Sequence, residues 1–154
     1  MKLSTRGDYA IRALLELATE VDLPWVPLAE LAERTGISPK YLEQILMRLR
    51  TARVVKAKRG ARGGYAFARP IGDVTIGEVV RVMDGPLAPS LCASRTAHQP
   101  CPVYRCPSED DCVLHGLWVD VRDAISQVVD GTTFGDLVER RRRQESEKRE
   151  MYHI

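Results

Sequence analysis

Four cysteines fall within 21 residues: Cys92, Cys101, Cys106 and Cys112, with eight, four and five residues between successive members. The chain has no other cysteine. In a chain without an export signal, such a cluster points to a metal, a cofactor or redox chemistry sooner than to a disulfide framework. Iron–sulfur clusters need thiolates that wrap an inorganic core, and an irregular loop supplies the required directions. A tetrahedral zinc site also uses four thiolates but favours tight cysteine pairs, and only Cys101 and Cys106 come that close. A reversible dithiol switch needs two cysteines near cationic groups, and Arg105 adjoins Cys106. Inert core cysteines would sit on apolar stripes, whereas these flank Pro100, Pro102, Pro107 and several acids. Two further residues join the candidate ligands. His115 follows Cys112 by three positions at a helix start, and Asp8 opens the first helix, where the macrodipole alone favours an acid.

The elements that must position this loop are legible on either side of it. Tyr9, Ile11, Ala13, Leu14, Leu15, Leu17 and Ala18 follow a helical period, which predicts a helix from about Asp8 to Glu20. Pro24 and Pro27 close that region, and Leu28 to Arg34 reads as a second, short helix ended by Thr35-Gly36. Ser38-Pro39 then caps and starts a third helix running to about Thr51, with Leu42, Ile45, Leu46 and Leu49 on its inner face. Short helix, glycine turn and apolar-backed helix make a helix-turn-helix. The run after it reads as a hairpin, Val54 to Lys58 and Tyr65 to Ala68 around the loop RGARGG, which makes a basic wing. Thr75-Ile-Gly-Glu78 is a capping box opening a helix from Ile76 to Met83. From Leu87 to Asp111 there is no periodicity, and a structureless run of that length tends to be functional. Leu114, Leu117, Trp118, Val121, Ala124, Ile125, Val128 and Val129 then recur at steps of three and four, a long apolar-striped helix. Thr133 and Asp136 predict a further short helix from Phe134 to about Arg143, followed by a charged, fraying tail.

The net charge of +2 conceals an asymmetry. Residues 1–70 carry 13 Lys and Arg against 7 Asp and Glu, whereas residues 71–154 carry 10 against 14. Arg48 to Arg62 holds seven basic residues and no acid, the electrostatic footprint of a nucleic-acid face. A phosphate-binding GxxxxGK[ST] loop is absent and no substrate-binding constellation is found, so an enzyme is not expected. No apolar run approaches the ~20 residues that span a bilayer. The opening MKLSTRGDYAIRALLEL alternates charged and apolar residues, unlike a signal-peptide core, so a cytoplasmic location is expected.

The segments LSTRGDYAIRALLELA, SPKYLEQILMRLR, RGARGGY and TIGEVVRVMDG, in that order, resemble the bacterial winged-helix regulators typified by IscR, NsrR, RirA and CymR. The likeness extends over roughly residues 1–137. It implies a mainly α fold with a small β-hairpin wing, a homodimer joined through a long helix, and double-stranded DNA as partner. One subset of these regulators carries an iron–sulfur cluster in the loop before the dimerisation helix, and Cys112-Val-Leu-His115 with Trp118 fits its frame. The resemblance implies Cys92, Cys106 and Cys112 as ligands of a 2Fe–2S or 4Fe–4S cluster, with His115 or Asp8 of the partner subunit in fourth place; Cys101, from the residues alone, would instead complete an all-thiolate set. The chain departs from the common pattern upstream: thirteen residues separate Cys92 from Cys106, and Cys101 lies inside that longer gap.

The expected organisation is therefore a winged helix-turn-helix domain (1–86), a cysteine loop (87–112), a dimerisation helix with a short helix (113–143), and a flexible charged tail (144–154). The helix beginning at Ser38 should enter the major groove with Ser38, Lys40, Tyr41, Glu43 and Gln44 near its N-terminal end. Gln44 and Glu43 suit base edges, Lys40 and Tyr41 suit phosphate, and Arg59 and Arg62 of the wing suit a narrow minor groove. The Trp118 helix would form the seam of a two-fold dimer reading a pseudo-palindromic operator, a cluster in the preceding loop controlling the grip. The rivals are a metal-free repressor that answers to a metabolite or partner protein, a thiol-based redox regulator, and a cluster-bearing electron carrier.

Overall fold

The computed structural model describes residues 3–19, 25–101, 106 and 108–151. Apolar residues at helical spacing produce α1 (Thr5–Thr19), whose Ala10, Ala13 and Leu14 are wholly buried. This helix starts three residues before Asp8 because Ser4 caps it: the Ser4 hydroxyl accepts from Gly7 N at 3.0 Å. Ser4 is itself held by the Asp84 carboxylate, which accepts from Ser4 N at 2.9 Å and from its hydroxyl.

The helix-turn-helix forms as expected from α2 (Leu28–Thr35) and α3 (Pro39–Thr51), with Gly36 between them at φ +68°. Ser38 occupies the capping position, but its hydroxyl makes no capping bond; its carbonyl accepts from Tyr41 N and Leu42 N instead. At the far end of α3, Val54 N donates to Leu49 O and Arg53 N to Arg50 O. This paired closure requires a left-handed residue, and Arg53 supplies it at φ +58° where glycine is usual. The chain thereby turns directly into the wing.

The wing consists of β1 (Val55–Lys58) and β2 (Gly64–Phe67), antiparallel and in the register Val55↔Phe67 to Lys58↔Gly64. β1 starts one residue later than the sequence expectation and ends at Lys58 as expected, whereas β2 is shifted one residue toward the N-terminus. The wing has a third partner beyond the expected hairpin: Val26 bridges Tyr65 on the open side of β2, through Val26 N to Tyr65 O (2.9 Å) and Tyr65 N to Val26 O (2.8 Å). Gly64 permits this approach, since a Cβ there would overlap the Val26 carbonyl.

After the wing, α4 (Ile76–Asp84) begins at Thr75, whose hydroxyl accepts from Glu78 N at 3.2 Å. The expected reciprocal half of the capping box is replaced, because the Glu78 carboxylate binds Arg69. Then come the irregular cysteine loop, with one 3-10 turn at Leu91–Ala93, and α5 (Val113–Asp130). Finally α6 runs from Phe134 to Met151, well beyond the expected limit near Arg143. Its start is doubly fixed, Thr133 N and hydroxyl donating to Asp136 while Asp136 N donates to Thr133 Oγ1. Its extension has no apolar face. Ion pairs Arg143–Glu139 and Arg141–Glu145 run along it, and Arg141 also reaches Glu16 of α1 at 2.8 Å. The residues expected to form a flexible tail are thus helical as far as Met151; residues 152–154 lie outside the described set.

The core gathers α1, the inner faces of α2 and α3, Val54, Val55, Val74, Val79 and Phe134, the last packed on Phe67 at 5.6 Å. The Gly64→Ala substitution should lower stability by about 2 kcal/mol or more, from steric overlap with the Val26 carbonyl. A thermal melt should fall by roughly 4–8 °C; an unchanged melt would show that the third wing segment does not pair as described.

Candidate DNA-reading face and cysteine pocket

Two sites emerge, one on α3 and the wing, the other at the start of α5. On α3 the apolar residues Leu42, Ile45, Leu46 and Leu49 point inward, which turns Ser38, Lys40, Glu43, Gln44, Met47 and Arg50 out to solvent. Glu43, Gln44, Met47 and Arg50 line a groove of about 300 Å³ closed on its other side by Tyr65 of β2. Arg50 belongs to the basic stretch from Arg48 to Arg62, whereas Met47 (55% exposed) carries no such signal; both share a helical face with Glu43 at steps of four and three. Tyr41 is less free than expected: its ring is half-buried, packed edge-on to Tyr9 at 6.0 Å. Arg59 and Arg62 are exposed at the wing tip.

The second site is a pocket of about 250 Å³ onto which all four cysteines open. Each arrives by a different piece of chain. Cys92 sits in the 3-10 turn, buried, with its sulfur 3.2 Å from the Ser90 hydroxyl. Cys112 occupies the capping position of α5, and Cys101 and Cys106 come from the loop between. Arg105, the expected cationic neighbour of Cys106, lies outside the described residues, as do Pro102 and Pro107. Leu114 and Trp118, one turn apart on α5, form the apolar wall, and Glu109 is the carboxylate at the rim.

The loop is held to α5 by bonds from the helix back to the first cysteine's turn. His115 Nε2 donates to Cys92 O at 3.2 Å, and Arg122 Nη1 donates to Ala93 O at 2.6 Å. His98 Nε2 contacts both oxygens of Glu109, at 2.9 and 3.0 Å. All four cysteines are free thiols. Burial, and then the neighbouring Cys101 and Cys112 thiols, push the Cys106 thiol up to about 11. Cys101 and Cys112 therefore each lie beside Cys106.

The chemistry of this donor set fits a thiophilic group: soft sulfur ligands from an irregular loop, backed by an apolar wall. Among the described residues, no three His, Cys, Asp or Glu side chains are already grouped to hold a single metal ion. His115 lies on the pocket wall, whereas Asp8 does not line its own chain's pocket and pairs with Arg12 at 2.7 Å.

The helix that leads away from the pocket has two faces. Trp118, Arg122, Ile125 and Val129 are half-buried on the side packed against α4 and the Cys92 turn. Leu114, Leu117 and Val128 are exposed, and no residue of α5 is buried. No helix among the described residues is long and apolar enough to cross a membrane.

Residues 3–140 match the Rrf2 family, described as "Iron-dependent Transcriptional regulator". The HTH-type transcriptional regulator IscR of Enterobacter sp. (strain 638) is 35% identical over 138 residues, covering 90% of this chain and 80% of that protein. Among solved structures, CymR (YrzC), the global cysteine regulator of B. subtilis, matches with a TM-score of 0.72 and 32% identity, over 90% of this chain and 97% of that one. T. potens IscR matches with a TM-score of 0.69 and 32% identity, over 90% of this chain and 87% of that one.

The raised Cys106 thiol has a kinetic consequence. In metal-free, reduced protein at pH 8, Cys106 should alkylate at least about tenfold more slowly than a small model thiol, because little of it is thiolate. The rate should climb with pH toward 11. Mass-spectrometric mapping of iodoacetamide labelling measures it, and a rate matching the free thiol would show that Cys106 is not enclosed by its neighbours.

Proposed function

The chain belongs to the Rrf2 family of transcriptional regulators, and we propose that it works as a homodimer whose hold on a pseudo-palindromic operator is controlled by an iron–sulfur cluster. It is a DNA-binding transcriptional regulator and not an enzyme. The observation that carries the finer reading is the convergence of four free thiols on one pocket at the head of α5. We assign Cys92, Cys106 and Cys112 as ligands. Cys101, which adjoins Cys106, takes the fourth place ahead of His115 and of Asp8 of the partner subunit. When bound, the cluster supplies a thiolate-held iron core sensitive to iron supply and oxidation.

The chain's own residues connect this pocket to the reading face. His115 and Arg122 tie the Cys92 turn to α5. At the other end of α5, the Asp130 carboxylate takes Arg81 of α4 in a two-point bond of 2.6 and 2.7 Å. From the end of α4, Asp84 grips Ser4 at the start of α1, and α1 packs against both helices of the helix-turn-helix. A tenfold change in operator affinity needs a differential of only about 1.4 kcal/mol between the two states. Binding to DNA sets the bacterial cytoplasm as the workplace.

A second reading is supported by the adjacency of Cys106 to Cys101 and Cys112, and by the structural likeness to S. aureus CymR in an oxidized form (TM-score 0.67, 30% identity, over 90% of this chain and 97% of that one). In that reading a peroxide oxidises two thiols to a disulfide, taking their two hydrogens and being reduced to water.

Anaerobic protein rebuilt with ferrous iron and sulfide should be coloured and contain both elements, and Cys106→Ser should lose them. Cys101→Ser should alter the spectrum, whereas His115→Ala and Asp8→Asn should leave it. Loaded and cluster-free protein should differ at least about tenfold in affinity for the promoter DNA they regulate. Colourless wild type would refute the cluster, and equal affinities would refute its control. Oxidation that removes two hydrogens and changes affinity without iron would establish the thiol reading instead.

The exposed stripe of α5 makes a separate prediction. Sedimentation should find a dimer that Leu117→Glu converts to monomer without unfolding, because a charge would replace an apolar seam contact. A monomeric wild type at every concentration would refute the dimer.

A further inference from the structure

Trp25 immediately precedes the third wing segment. Because Val26 pairs with Tyr65, Trp25 lies level with Ala66, and Ala66 in turn pairs with Lys56. Residues opposite one another in an antiparallel sheet share a face, so Trp25, Ala66 and Lys56 form one row across the outside of the wing. Lys58, two positions along β1, shares that face. Ala66 is the small member of the row, and it leaves the indole room to reach across β2. The Lys56 ammonium stands 5.3 Å and the Lys58 ammonium 5.9 Å from the Trp25 ring centroid, both within cation–π range.

We propose that Trp25 is a positioning residue for DNA binding, presetting Lys56 and Lys58 as a paired ammonium ridge that grips backbone phosphates beside the wing tip. An aromatic face orders an ammonium without neutralising it. The sequence has no acid between Glu43 and Asp73, so the stretch that carries the two lysines holds no carboxylate of its own. Lysine side chains in solution sample many rotamers, and a ligand that immobilises them bears that entropic cost. Seating them on the indole moves part of the cost into folding. Two residues along a strand span about 7 Å, a spacing on the scale of successive phosphates. The ridge is continuous with Arg59 and Arg62 through the same basic stretch, which makes duplex DNA the occupant its chemistry fits.

The inference rests on the duplex-binding reading of the wing. The probe is a mixed-sequence duplex of about 30 base pairs, with affinity measured against salt concentration. Wild type that fails to bind it would sink the duplex-binding reading itself; the variants address the ridge alone. Lys56→Gln with Lys58→Gln, both exposed, should flatten the log–log salt slope by about 2. Trp25→Leu should weaken binding about three- to tenfold, and Trp25→Phe should restore most of it. In the double-glutamine background, Trp25→Leu should have no further effect. An unchanged slope in the double-glutamine protein, wild-type affinity in Trp25→Leu, or an equal loss in both backgrounds would overturn the proposal.

Discussion

Close packing around α1 is the constraint on which the molecule depends. Gly7, Ala10 and Ala13 present little side chain, so neighbouring elements can approach the helix axis, and Leu14 and Leu17 fill the space beyond them. A Cβ at Gly7 would press within 2.6 Å of the Asp84 carboxylate oxygen. One helix thereby meets α2, α3, α4, α6 and β2 at once. The helix-turn-helix, the wing and the C-terminal helices are oriented by a shared neighbour, and interiors packed at crystal density transmit such placement with little slack.

The same economy appears where α5 returns to the body. Gly77 of α4 leaves a gap that the Asp130 carboxylate enters, and any side chain there would collide with it. The Arg81 guanidinium closes the contact and holds the Asp130 carboxyl below its usual range. The pair is partly exposed, so its contribution is geometric more than energetic. A two-point bond fixes the direction of a helix in a way that one contact cannot. The cysteine pocket is fixed at the other end of that helix by His115 and Arg122. Pocket and helix-turn-helix are therefore connected through fixed joints and packed elements.

How much of this was legible in the sequence followed the range of the interactions involved. The bounds of α3 were readable because Ser38-Pro39 and the leucine spacing are local signals. The start of α1 was misplaced because Ser4 is held by Asp84, eighty positions away. Val26 as a wing partner has no sequence signature for the same reason: a one-residue bridge carries no periodicity. The extension of α6 was missed because hydropathy falls silent after Val138, while i,i+4 ion pairs and Arg141–Glu16 continue the helix. At the cysteines, residue type signalled the chemistry. That Cys101 and Cys112 would adjoin Cys106 depended on a loop path no local pattern encodes.

The apolar stripe of α5 shows why the pocket and the proposed dimer belong to one problem. The stripe divides between two obligations: Trp118, Ile125 and Val129 cover the chain's own body, and Leu114, Leu117 and Val128 remain in solvent. Leu114 does both, since it also lines the thiol pocket. Burying an aliphatic side chain fully contributes about 1.5–3 kcal/mol, so even partial cover of this face by a second copy amounts to several kcal/mol per protomer. A change in the pocket that turns or frays the first helical turn would move Leu114 in the same stroke. The residue that closes the cysteine site is thus also a candidate seam residue, and the strength of the proposed pairing becomes sensitive to what the thiols hold.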